Sequence, residues 1–129
     1  MDPWLQDGDV HPALKAAGMP EWTSDADEDC RLAVGRDAEN VWWMVQCNGD
    51  DGLEEQYTTP YEAHAIIEKW LREWLLERGW KVMWSFRRQV YVIFERVSGQ
   101  GYFREDLGSF ETEPAALQAA ALAAKEREP

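Results

Sequence analysis

Two segments of the chain are apolar at every position, and they constrain the fold more than any other feature. Residues 41–45 read Val-Trp-Trp-Met-Val, and residues 90–94 read Val-Tyr-Val-Ile-Phe. Their β-branched and aromatic side chains favour extended strands. A strand with one face in water alternates apolar and polar residues, so these strands require cover on both sides. The pattern favours a sheet buried between two layers, or a sheet whose second apolar face meets a partner.

The surroundings of these two segments repeat along the chain. Shorter strand-like segments flank each of them, at residues 31–36 and 53–58 for the first and at residues 80–86 and 102–104 for the second. A helix start follows in both cases, because Pro60 and Pro114 each come just after a threonine that can cap a helix. The order predicts two ββ(β)α units, residues 31–79 and residues 80–129.

The helix predicted over residues 60–78 is amphipathic. Its apolar residues recur at steps of three and four and share one face: Ala63, Ile66, Ile67, Trp70, Leu71, Trp74 and Leu75. The helix predicted over residues 114–125 is rich in alanine. In the strand predicted over residues 80–86, we expect Val82, Trp84 and Phe86 to share a face. Residues 87–89 predict a solvated turn. The predicted core comprises Ile67, Trp70, Trp74, Val82, Trp84, Val92 and Phe94.

At 129 residues the chain predicts a single domain. Residues 1–30 predict an acidic N-terminal arm with one short helix, which starts at Pro12 and is capped by Asp9 or His11. The two units predict the α+β class, with an antiparallel sheet of five or six strands and helices packed on it as an α/β/α sandwich. The helix over residues 60–78 can cover one face of the sheet, and the second helix, with the N-terminal segment around Trp4 and Leu14, is a candidate for completing the cover. The tryptophans that are candidates for exposure are Trp4, Trp22 and Trp42.

Residues from about 56 to 125 resemble the phage ABA-sandwich family of small bacteriophage proteins. The likeness rests on residues 61–79 as a helix, residues 80–95 as a hairpin, and the segment Phe-Glu-Thr-Glu-Pro-Ala-Ala-Leu-Gln-Ala-Ala-Ala-Leu at residues 110–122. The resemblance implies the sandwich fold, a phage or prophage origin and the cytoplasm of a bacterial host. By analogy it implies a protein that blocks a host or defence protein, for example an anti-CRISPR inhibitor. No catalytic motif comes with it.

The net charge of −12 is carried by one half of the chain. Residues 1–64 hold 15 acidic and 3 basic residues, whereas residues 65–129 hold ten of each. Because phosphates would be repelled, this charge disfavours direct binding to nucleic acid or to an anionic membrane surface. It favours a basic protein surface, and the alternative is that the charge serves only solubility. We also expect no membrane span and no signal peptide, since no apolar run approaches roughly 18 residues.

The sequence has no recognisable catalytic or metal-binding motif, so we expect neither an enzyme nor a cofactor. Residues 25–29 carry aspartates at the first three ligand positions of a calcium loop, but Cys30 stands where glycine is required and Arg36 where a bidentate acid is required. A nucleophilic pair of Cys30 or Cys47 with His64 is conceivable. Because Cys47 continues the apolar alternation of its strand, a packed free thiol is the favoured interpretation.

The favoured function is that of an interaction protein whose acidic residues engage a basic, nucleic-acid-binding host or defence protein. The candidate contacts are Asp25, Asp27, Glu28 and Asp29 in the arm, Asp50, Asp51, Glu54 and Glu55 in the hairpin turn region, and Trp22 as an apolar anchor. The alternative is a small-ligand-binding or enzymatic module with its site in a Trp-lined pocket. The sequence leaves the oligomeric state and the identity of the target open.

Charge reversal tests the acidic contact. Replacing Asp50, Asp51, Glu54 and Glu55 by lysine should leave the melting temperature nearly unchanged and weaken binding to a basic partner at least tenfold, or about 1.4 kcal/mol. The loss should come mainly from slower association and should shrink as salt is added, which surface plasmon resonance measures directly. Normal binding at low salt would mean that the acidic residues serve only solubility.

Overall fold

The computed structural model describes residues 3–6, 9–19, 32–36, 42–47, 53–57, 60–97 and 103–128, and for the three segments between 32 and 57 it describes the backbone. In chain order the elements are β1 (Leu5–Gln6), β2 (Asp9–Val10), α1 (Pro12–Ala16), β3 (Leu32–Arg36), β4 (Trp42–Cys47), β5 (Leu53–Tyr57), α2 (Pro60–Glu77), β6 (Trp80–Ser85), β7 (Val90–Arg96), β8 (Phe103–Phe110) and α3 (Glu113–Glu126). Helices and antiparallel strands together place the protein in the α+β class.

The strands form antiparallel sheets, and each sheet consists of strands that follow one another in the chain. β3, β4 and β5 form one three-stranded sheet, β6, β7 and β8 form another, and β1 pairs with β2. We expected a single sheet of five or six strands, but within the described ranges no ladder joins the two three-stranded sheets. Neighbouring strands pair through short turns that a sequence can specify, whereas nothing in the pattern specifies which sheet edges meet. The duplication and the α/β/α layering stay predictions.

Helix α2 ends where the expected capping signals place it. The stripe of Ala63, Ile67, Leu71 and Leu75 is buried, with no residue above 1% exposed. Gly79 follows the helix with φ of +83°, a conformation that favours glycine, and its carbonyl accepts a hydrogen bond from the Arg96 backbone N–H at 2.7 Å. A Cβ at this position would approach the Arg96 Cβ to 3.2 Å. The glycine therefore allows the chain to turn tightly into β6.

Helix α3 approaches its neighbours closely because its buried face consists mostly of alanine. The Thr112 hydroxyl caps the helix and accepts from the Ala115 N–H at 3.3 Å. The buried residues are Ala116, Leu117, Ala120, Ala121 and Ala124. They contact α1, α2 and the β6–β8 sheet, so small side chains here let three elements meet at one helix.

The main core lies between these helices and one face of the β6–β8 sheet. Trp80 and Ile93 supply the buried sheet residues, at 4% and 0% exposure. The N-terminal segment completes this core with Trp4 and Leu14, and the Trp70 indole N–H donates to the Ala17 carbonyl at 3.3 Å. This segment and α3 were expected to cover the second face of the sheet, but both pack on the same face as α2. The candidate exposure of Trp4 was wrong, since its side chain is fully buried.

The predicted core is confirmed in part. Ile67 and Val92 are buried, whereas Trp70, Trp74, Val82 and Phe94 are only half-buried. Trp74 is covered from the solvent side by the Arg78 guanidinium, 3.9 Å from the ring centroid. Trp84 is 44% exposed, so its predicted burial was wrong. Burial decreases along β6 towards the turn, which shows that this end of the strand extends past the helices.

The end of α3 is tied to the sheet by an ion-pair cluster. The Arg127 guanidinium donates to Asp106 at 2.7 Å and to Glu95 at 3.0 Å, and it lies 5.2 Å from the Trp80 ring centroid. The hydrogen bond from Arg127, followed by one from the Leu107 N–H, lowers the pKa of Asp106. The cluster therefore belongs to the framework that holds α3 on the sheet.

Two leucines on α2 test which face of the helix is buried. Leu71 is fully buried and Leu76 is 62% exposed. Leu71→Ala should cost about 2–5 kcal/mol because it leaves a cavity, whereas Leu76→Ala should cost less than about 0.5 kcal/mol. Urea unfolding of the two variants measures the difference, and equal losses would contradict the packing described above.

His11 makes the N-terminal segment sensitive to pH. Its Nδ1 accepts a hydrogen bond from the Ala13 N–H at 3.0 Å, which confirms one of the two predicted caps, and burial lowers its pKa below 6.5. The folded state therefore binds fewer protons, so the stabilisation is complete above pH 6.5 and decreases as the pH falls through the folded pKa. His11→Asn, which caps without titrating, should remove this part of the pH dependence. Thermal melts of both proteins between about pH 7.5 and about pH 5 test this, and equal slopes would contradict it.

Candidate functional site

Most of the site residues predicted from sequence lie outside the described residues. These are Trp22, Asp25, Asp27, Glu28, Asp29, Asp50 and Asp51. Glu54 and Glu55 are described by their backbone, and they pair with Gln46 and Val45 of β4. They lie in strand β5, which falls within the strand-like segment predicted over residues 53–58 and directly follows the turn region to which these contacts were assigned.

The described part of the chain places a trough on the face of the β6–β8 sheet opposite α2 and α3, called the outer face below. The trough has a volume of about 470 Å³ and is open to solvent. It is lined by Met83, Trp84, Ser85, Arg87, Arg88, Val92, Phe94 and Glu105. Val92 is 3% exposed and Met83 is 46% exposed, so an apolar floor adjoins an accessible apolar wall.

The turn between β6 and β7 is held by its own hydrogen bonds. The Gln89 backbone N–H donates to the Ser85 carbonyl at 2.7 Å, and the Arg88 N–H donates to the Ser85 hydroxyl at 3.3 Å. The Gln89 side chain donates to the Phe86 carbonyl at 2.6 Å, while its backbone has φ of +56°. This turn leaves Phe86 83% exposed. Its exposure therefore follows from the turn: Phe86 comes after the last residue of β6, so it is not part of the strand face that Val82 and Trp84 share.

The outer face is positively charged. Arg88 pairs with Glu105 at 2.6 Å, and among the described residues no carboxylate lies within ion-pairing distance of Arg87. The Lys81 ammonium lies 4.1 Å and the Arg96 guanidinium 5.4 Å from the ring centroid of Phe103. The described residues of this face thus set four cations against the single carboxylate of Glu105.

Adjacent carboxylates of β8 serve opposite faces of the sheet. Glu105 pairs with Arg88 on the outer face, whereas Asp106 pairs with Arg127 on the helix face. Successive strand residues alternate between faces, so this separation follows from the strand itself. It leaves the outer face with an excess of cations although the second half of the chain is neutral.

A second group of titratable residues lies where α2 and α3 meet. Burial, followed by the like charge of Glu113, raises the pKa of Glu68, and Arg72 opposes the shift. Arg72 itself forms an ion pair with Glu113. These contacts join two helices and do not line the trough. Across the described ranges, no group of three or more His, Cys, Asp or Glu side chains is arranged to hold a metal ion.

Sequence reasoning missed the outer face because it assigned Val92 and Phe94 to a core covered on both sides, and Arg87 and Arg88 to a solvated turn. The available signal was the basic pair Arg87 and Arg88 directly beside Phe86, at the tip of a hairpin. When a strand is apolar on both faces, its sequence does not show which face lacks cover. The packing of the helices determines which face that is.

Comparisons with protein-family models, with curated proteins and with solved structures found no match. The resemblance to the phage ABA-sandwich family therefore rests on the quoted segments alone and stays a prediction. None of the helices in the described ranges combines the length and the apolar character needed to cross a bilayer.

Proposed function

We propose that this protein is a binding module that acts by occupying a surface of another protein, without a catalytic step of its own. The observation that carries the proposal is the hairpin patch, defined here as Met83, Trp84, Phe86, Arg87 and Arg88 at the tip of the β6–β7 hairpin. Met83 lies on the outer face, whereas Trp84, the next residue of the strand, lies on the face of Tyr91, so the patch wraps around the tip. Its three large apolar residues are 46%, 44% and 83% exposed, in the order given. Methionine, aromatic residues and arginine are enriched at protein interfaces, and Trp and Arg dominate interface hot spots.

The patch is arranged so that a partner gains binding energy without refolding it. Phe86 is held out by the hydrogen-bonded turn, and the Trp84 ring is braced edge-on against Tyr91, with centroids 4.8 Å apart. Fully burying a side chain of this size contributes about 1.5–3 kcal/mol. Because the turn is already ordered, little of that energy is spent on fixing its conformation.

The acidic first half supports the more specific part of the proposal, which is inhibition of a basic partner. All of the net charge of −12 lies in residues 1–64, and it includes the proposed contacts from Asp25 to Glu55. A basic, nucleic-acid-binding host or defence protein would be attracted to this half, because opposite fields speed association. An anti-CRISPR or other anti-defence inhibitor in a bacterial cytoplasm fits this description.

A second candidate function is binding of a small ligand in the trough. Its volume of about 470 Å³ is in the range of small-molecule sites, which are lined mainly by apolar side chains with a few polar groups. Trp84 is among the lining residues, although its ring packs edge-on against Tyr91 on the other face of the sheet. The trough is open, however, and an open apolar surface favours a protein partner.

Two equally exposed aromatic residues separate the patch from exposed apolar surface in general. Phe86 and Tyr61 are each 83% exposed, and Phe86→Asp and Tyr61→Asp should both fold, since neither side chain is packed in the core. We expect Phe86→Asp to weaken partner binding at least tenfold, or about 1.4 kcal/mol, and Tyr61→Asp to leave it unchanged. Affinity capture from bacterial lysate, followed by interferometry with the recovered protein, measures both.

Undiminished capture by Phe86→Asp would contradict the proposal, as would an equal loss for Tyr61→Asp. The lysine variant at positions 50, 51, 54 and 55 is measured in the same assay. Its binding loss reports on the acidic half independently of the patch.

A further inference from the structure

The outer face carries a charge opposite to that of the chain as a whole, and we propose that it binds an acidic segment of a partner protein. An apolar side chain of that segment enters the trough above Val92, and a neighbouring carboxylate pairs with Arg87. This inference rests on the proposed function and specifies its partner: the segment that meets the hairpin patch is acidic, whatever the first half of the chain contacts.

The trough selects for one apolar side chain. Its floor is Val92, 3% exposed, and Met83 and Phe94 stand beside it. Methionine is flexible and polarisable, so it adapts to aliphatic and aromatic side chains alike. The ion pair of Arg88 with Glu105 closes one side of the trough with a polar rim. Burial inside such a rim excludes water from the apolar contact.

Arg87 provides the charged contact. Within the described ranges no carboxylate is close enough to pair with it, whereas Arg88 beside it is already held by Glu105 at 2.6 Å. A guanidinium binds a carboxylate through two parallel N–H donors, which fixes orientation as well as charge. Lys81 and Arg96 extend the positive charge along the same face, where they lie over the Phe103 ring. An extended acidic segment would therefore find cations along its length.

The same face is poorly suited to single-stranded nucleic acid. Bases bind protein surfaces by stacking on open aromatic rings. The Lys81 ammonium lies 4.1 Å from the ring centroid of Phe103 and so occupies the space above that ring, which leaves the exposed Phe86 at the tip of the turn as a single stacking position beside the trough. A long polyanion would also meet the repulsion of a chain with net charge −12. A short acidic protein segment needs no row of open rings, and because it carries few charges it meets less of this repulsion.

Selection from a displayed library of random peptides about 12 residues long tests the inference on the full-length protein. We expect the selected peptides to share an apolar residue next to Asp or Glu. Their affinity should fall at least tenfold for Arg87→Glu and should decrease as salt rises from about 50 to about 500 mM. Lys69→Glu is the matched control, since it makes the same charge change on α2, which covers the opposite face, and it should bind normally.

Selection of neutral or basic peptides, or no enrichment, would overturn the inference, as would equal losses for Lys69→Glu and Arg87→Glu. Fluorescence anisotropy with labelled oligo(dT) forms the second arm, and tight binding there would assign the face to nucleic acid instead. The two proposals fail separately. If Phe86→Asp abolishes capture of a cellular partner while Arg87→Glu does not affect it, the hairpin patch stands and the acidic segment is wrong.

Discussion

Packing of α2 and α3 against one face of the β6–β8 sheet is the interaction on which the rest of the described structure depends. It buries Ile93 and Trp80, and the alanine face of α3 lets the N-terminal segment bring Trp4 into the same core. Because β7 is apolar on both faces, covering only one of them leaves Val92 and Phe94 on a face that the described helices do not reach. The same packing that stabilises the fold therefore creates the candidate site.

The position of the site within the sheet follows from strand length and turn chemistry. β6 and β7 continue past the helices, so their burial declines towards a turn that exposes Phe86. The hydrogen bonds of that turn make the exposed ring part of a fixed surface. An exposed apolar group that is ordered before binding costs little entropy to bury, which distinguishes an interface residue from one in a loose loop.

Charge is separated by two different means in this chain. Along the sequence, residues 1–64 carry the entire net charge of −12. Across the sheet, alternation sends Glu105 to the outer face and Asp106 to Arg127 on the helix face, so the outer face keeps an excess of cations. In the two proposals, the acidic half and the outer face therefore bind surfaces of opposite sign. A partner that carries both a basic and an acidic surface would bind more tightly than a partner whose surface has a single sign. The charge arrangement would then give specificity in addition to affinity.

The sequence by itself determined the α+β class, the succession of strands β3 to β8 along the chain and both long helices. Local signals specify these features: Pro60, the Thr112 cap and the stripe through Leu71 need no distant contact to act. It also located the strands that are apolar on both faces. Only the tertiary structure decided that the strands divide between two sheets, that Trp4 is buried and that Trp84 is exposed. Each of these depends on which elements meet, and period-2 and period-3.6 patterns show that a face is apolar without showing what covers it.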